Sequence, residues 1–150
     1  MAGELNLANV RIGYRNFEGR EGQFNRKGER SFVVFLDQIT AEDLLAQGWN
    51  VKFPSPNSEI APEDDIREPH MQITTAFENF PPDVYMIANN NPTKLTEQTI
   101  STLDWAELEN IDLVIRPYNW SVQGKSGIKA YLKKGYFTIV SDQFTDKYGY

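Results

Sequence analysis

The 150-residue sequence contains no cysteine, which excludes disulfides, thiolate metal sites and cysteine nucleophiles, and fits a reducing compartment. It contains one histidine, His70, too few for a histidine metal cluster or a histidine-based triad. No apolar run approaches the length that spans a bilayer, and the opening MAGELNLANVRIGY lacks a basic patch followed by an apolar stretch. These absences lead us to expect a soluble, unexported, cytoplasmic protein without membrane partners.

Two further gaps are local. Residues 116 to 134 contain no acid, although they hold Arg116, Lys125, Lys129, Lys133 and Lys134. Within them, WSVQGKSGIKAYLKK carries Gly124-Lys125-Ser126, the closing letters of a phosphate-binding loop, but Asn119 stands where that motif needs its early glycine. The residues that follow set Ile128, Ala130 and Leu132 against Lys129, Tyr131 and Lys133. That period of two belongs to a strand, whereas a phosphate loop is followed by a helix. A β-hairpin with a basic tip fits better than a nucleotide site.

What is present suffices for one domain over residues 1–150, since 40% of residues are hydrophobic and 13% aromatic. The net charge of −6 would oppose binding to a polyanion if it were evenly spread. It is not: Arg11, Arg15, Arg20, Arg26, Lys27 and Arg30 crowd the first part, while acids gather at residues 59–68 and 96–112. The bland alternative is that these bases only solvate two sheet faces.

Residues 5–14 read as a strand whose parity changes, which a bulge near Ala8-Asn9 reconciles, and on this reading Arg11 and Arg15 point outward while Tyr14 points inward. Glycines then mark a basic, flexible loop near 16–30, before a central strand at 31–36. A helix is expected from the cap Thr40 to Gly48, then a short strand at 50–53 and an acidic, proline-rich loop at 54–69. Strands at 71–77 and 84–88 flank a turn, Asn89 to Pro92 breaks the chain, and a second helix is expected at 96–110. Strands at 111–122 and 128–140 follow, with a frayed tail near 142–150. The sum is a mainly β fold with two short helices. Our first choice is an OB-like five-stranded barrel with additional strands, and the alternative is a β-sandwich.

Pairing Trp120 with Lys129 in the last hairpin puts Tyr118 opposite Tyr131 and Arg116 opposite Lys133 on one face, with Leu113, Ile115, Ala130 and Leu132 on the other. Rings beside cations suit unpaired nucleobases, which stack on the rings while the cations follow the phosphates. Duplex DNA hides its base faces, so the expected ligand is single-stranded DNA, bound with little regard to sequence. The candidate contacts are Arg11, Arg15, Arg20, Arg26, Lys27, Arg116, Tyr118, Trp120, Lys125, Lys129, Tyr131 and Lys133. Burial of Tyr118 and Trp120 in a second packed layer is the competing reading.

No cofactor, metal or catalytic residue is expected. Glu63-Asp64-Asp65 lies in the proline-rich loop without an ordered partner, and Pro82-Asp83 with Gln123-Gly124-Lys125 only faintly mimics a nuclease signature, because Lys125 falls at a hairpin tip.

The segments LDWAELENIDLVIRPYNWSVQGKSGIKAYLKKGYFTI, RNFEGREGQFNRKGERSFVVFLD and GWNVKF resemble small phage and prophage OB-fold single-stranded DNA-binding proteins. The resemblance implies a replication or recombination accessory that coats exposed strands, with Tyr118, Trp120, Lys125, Lys129 and Tyr131 facing DNA. Replication or recombination proteins would be partners, and the chain a monomer or homodimer. The tail departs from the pattern, with only Asp142 and Asp146 against Lys147 where such proteins commonly carry a strongly acidic recruiting terminus. The alternative function is a phage structural or inhibitory module that binds proteins through its acidic surface.

Overall fold

Strands β1 (Leu5–Leu7) and β2 (Arg11–Asn16) are two halves of one bent segment, separated at Asn9, whose φ is 50°. The Asn9 N–H donates to the Asp112 carboxylate at 2.8 Å, which holds the bend in place of a ladder bond. In this computed structural model, residues 3–22, 26–55, 59–61, 67–78 and 81–140 are described.

β2 pairs with β3 (Ser31–Phe35) in register Gly13 to Val33 and Asn16 to Ser31, so Tyr14 and Arg15 share one partner position. This second bulge reverses the expected orientations. Tyr14, at φ 48°, points outward and is 80% exposed. Arg15 turns inward and donates to the Leu103 and Ala106 carbonyls at 2.8 and 2.6 Å. Asp104 secures the same corner by accepting from the Phe17 and Glu18 N–H groups at 2.7 and 3.0 Å. Phe17 is thereby placed against Phe32 and Phe137, with ring centroids 5.1 and 5.8 Å away, at the centre of the core.

Helix α1 (Gln38–Ala46) is capped by Asp37 rather than by Thr40. The Asp37 carboxylate accepts from both the Thr40 N–H and the Thr40 hydroxyl, so the helix starts one turn earlier than expected. The Thr40 backbone bond, foremost, holds the Asp37 carboxyl below its ordinary value of 3.8. The cap's contribution is therefore present above that value and lost as pH falls through the lower folded-state value. Asp37→Ala is expected to lower the melting temperature at neutral pH, with the gap to wild type closing in strongly acidic buffer. Equal gaps at both pH values would remove the ionic cap.

The short strand β4 (Val51–Lys52) and β5 (His70–Thr74) come next, and β5 joins β3 antiparallel. β5 and β6 (Asp83–Ala88) do not form a hairpin with each other; both run parallel to the last strand. Asn89 and Asn90, at φ 51° and 66°, make a tight turn into β7 (Asn91–Leu95), so the expected break is a hairpin. Pro92 is tolerated because, among the described residues, β7 has a partner on one side only.

The second expected helix is reduced to a single 3₁₀ turn (Ile100–Asp104), leaving α1 as the one α-helix among the described residues. Ile100 and Leu103 are buried there, but Trp105 is exposed, and Leu108 already belongs to β8 (Leu108–Val122). β8 and β9 (Lys125–Ile139) form a long hairpin that carries β1 on one side and β5 and β6 on the other. Among the described residues all nine strands belong to one mixed sheet, which replaces the two-sheet sandwich alternative. The 142–150 tail lies outside the described residues.

Candidate nucleic-acid interface

Gln123 and Gly124, at φ 50° and 79°, close the β8–β9 hairpin in two residues, the twist that best matches paired strands. The shorter turn moves the register two places from expectation: Trp120 faces Gly127, Tyr118 faces Lys129 and Arg116 faces Tyr131. An even shift keeps every side chain on its face. The expected surface of Arg116, Tyr118, Trp120, Lys129 and Tyr131 therefore survives, with Ile115, Ala130 and Leu132 buried behind it.

Lys133 leaves that row. Between the pairs Val114 to Lys134 and Ile115 to Leu132 it is the extra residue of a bulge, and its ammonium pairs with Glu4. Lys134 takes the next outward place, 5.8 Å above the ring of Tyr136, which stacks on Tyr85 at 5.4 Å.

Tyr118 meets Tyr131 edge to face at 6.0 Å, while Arg116 and Lys129 lie 5.8 and 5.2 Å from the Tyr131 ring centre. Each cation is thereby held beside a ring, an arrangement that the ring quadrupole favours. Trp120 lies directly on the Gly127 backbone, where an added Cβ would come within 3.0 Å of the indole. Glycine at that position lets the ring lie close against the hairpin while leaving it 37% exposed; Tyr118 is 56% exposed. The same end of the hairpin is tethered by the Ile128 N–H, which donates to the Gly48 carbonyl beyond α1 at 3.2 Å.

Trp120 and Lys129 border a hollow of about 240 Å³ that also touches Asn50, Gln72 and Arg30. Tyr118, Tyr131 and Arg116 border another of about 580 Å³ with Thr75, Phe77 and Glu97. Both include Glu29, Arg30 and Thr74, so they are two stretches of one groove beside the hairpin. Lys125 is exposed beside the turn, and Arg26 and Lys27 are exposed next to Gly28, which lines the larger hollow.

Besides Lys133, three expected contacts lie elsewhere. Arg11 pairs with Glu68 and covers Phe35, with 5.8 Å from its guanidinium to the ring centre. Arg15 is committed to the carbonyls at the 3₁₀ turn, and Arg20 lies near Glu18 at 3.6 Å and over Trp105 at 5.7 Å. Conversely, sequence reasoning left Arg30, Thr75, Phe77 and Gly127 out of the site. Arg30 was discernible in principle, since it precedes Phe32 by two and shares its parity. Among the described residues no three His, Asp or Glu side chains gather as a metal site, and Glu63-Asp64-Asp65 falls outside them.

Among solved structures, the single-stranded DNA-binding protein of bacteriophage Enc34 in complex with ssDNA is similar at a TM-score of 0.59 and 14% identity, covering 95% of this chain and 89% of that one. A C-terminal truncation of the same phage protein gives 0.58 and 14%, covering 93% and 87%. A further structure of it gives 0.54 and 17%, covering 95% and 84%. At these identities the likeness concerns the fold. No curated protein matches the sequence. The family model described as "Putative phage ssDNA-binding domain" matches residues 1–150, and the chain belongs to that family.

Proposed function

We propose that this chain is a non-enzymatic, sequence-tolerant single-stranded DNA-binding protein that coats and protects exposed strands during phage replication or recombination in the host cytoplasm. The observation that carries the reading is the outward row of Trp120, Tyr118 and Tyr131 interleaved with Arg116 and Lys129 along an open groove. Rings there offer flat faces to bases, and the cations stand within reach of the connecting phosphates. Family membership and the fold of the Enc34 protein support the same reading.

An OB-like barrel formed by one domain is the architecture we propose, and the strand path supports it. β1 pairs with β8 and β2 with β3, so the bent first segment bridges both ends of the path through β3, β5, β9 and β8. The Val10 N–H, between the two halves, donates to the Ile111 carbonyl at 3.0 Å and ties the first segment to β8. β6 and β7 then extend β9 beyond the barrel.

Tryptophan emission tests the proposal. Trp49 is buried, and Trp105 is exposed but lines neither hollow beside the hairpin, so a Trp105→Phe background leaves Trp120 as the responsive indole. Titration with a single-stranded oligonucleotide at low salt is expected to quench it, because a stacked base contacts the ring face. A folded protein whose emission stays constant under saturating oligonucleotide would overturn the stacking role of Trp120.

A further inference from the structure

The larger hollow has a feature that phosphate tracking does not use. Arg30 Nε and Thr75 Oγ1 are buried and have no hydrogen-bond partner among the described residues. Arg30 and Thr75 face each other one step past the paired ends of β3 and β5, joined by the Thr75 N–H donating to the Arg30 carbonyl at 2.9 Å. They continue the parity of Phe32 and Ile73, so polar side chains stand where the apolar interior reaches the groove. Thr75 is only 3% exposed, and a buried hydroxyl without a partner costs about 1 to 3 kcal/mol. Folding alone would favour valine at this position.

Resting on the single-strand reading, we infer that this hollow receives one unstacked nucleobase and reads a carbonyl oxygen of it through Arg30 Nε and Thr75 Oγ1. Phosphate fits poorly, because Glu29, Glu78 and Glu97 line the same space and Glu97 lies 3.7 Å from the Arg30 guanidinium. A neutral base meets no such repulsion, and Phe77 and Tyr131 supply flat walls. A carbonyl oxygen has two lone pairs and can accept from both orphaned groups, whereas a ring nitrogen has one. Thymine, cytosine and guanine carry such an oxygen; adenine does not. Both protein atoms are sealed from water in the free chain, so entry of the base displaces the side chains that cover them.

The test compares oligo(dT) with oligo(dA) of equal length, at one low salt concentration, on wild type, Thr75→Val and Thr75→Ser. Oligo(dA) stacks on itself whatever the protein, so the change in preference between variants is the readout. Wild type is expected to favour oligo(dT) by about tenfold. Thr75→Val should lower that ratio at least about threefold while its ligand-free melting temperature holds or rises, and Thr75→Ser should restore the ratio. An unchanged ratio in Thr75→Val, or a marked fall in its melting temperature, would overturn the base-reading role. Failure of wild type to bind either oligonucleotide would instead remove the single-strand reading beneath it.

Discussion

Replacing Trp120 and Tyr131 together with alanine is expected to weaken oligonucleotide binding by about 2 to 6 kcal/mol, roughly thirtyfold to twenty-thousandfold. The estimate takes one base stacked on each ring at about 1 to 3 kcal/mol. The melting temperature should move far less, because both rings stand on the outward face while Ile115, Ala130 and Leu132 fill the interior behind them. Truncating one of those interior residues, such as Leu132→Ala, would reverse the balance, at about 2 to 5 kcal/mol of stability. Titration at fixed salt and a thermal melt of the same preparation separate the two effects. If the double variant unfolds, the rings hold the sheet together and the outward surface is structural.

The hairpin face was legible in the sequence because face depends on parity, which survived a two-place error in register. The error lay in the turn: Gln123-Gly124 is a weaker turn signal than Asn-Gly, and a four-residue loop fitted the alternation equally well. Asn89-Asn90 misled in the other direction, since the following Pro92 suggests a break unless the strand lies at an edge. The spacing of Ile100, Leu103, Trp105 and Leu108 looked helical, yet the pairing of Leu108 with Ile139 claims the end of that stretch for the sheet and leaves a 3₁₀ turn at Ile100–Asp104. Tertiary pairing overrode local periodicity there. Arg15 and Tyr14 exchanged faces through a bulge that shifts parity by one, which no count along the chain detects. Arg30 was passed over as a site residue for a related reason. Charged residues on core parity are discounted in a pattern search, although they mark the place where an interior opens onto a groove.

A salt titration distinguishes the cations that line the groove or stand exposed beside it from those paired elsewhere. Taking Lys27, Arg116, Lys125 and Lys129 as neutralising roughly four phosphates gives a slope of about −3 in log K against log salt, at about −0.7 per phosphate for single strands. Affinity should then fall about fiftyfold between roughly 50 and 200 mM salt, despite the net charge of −6. Lys129→Gln should flatten the slope by about 0.7. Arg11→Gln should leave it unchanged, because Arg11 is paired with Glu68 and lines neither hollow beside the hairpin. Trp120→Ala should lower affinity at every salt concentration by the same factor, since a stacked base releases no counterion. Parallel lines for Trp120→Ala and a shallower one for Lys129→Gln would show stacking and charge acting as separable terms. A slope near zero in wild type would mean that the partner is not a polyanion, and the acidic face would become the surface to test for protein binding.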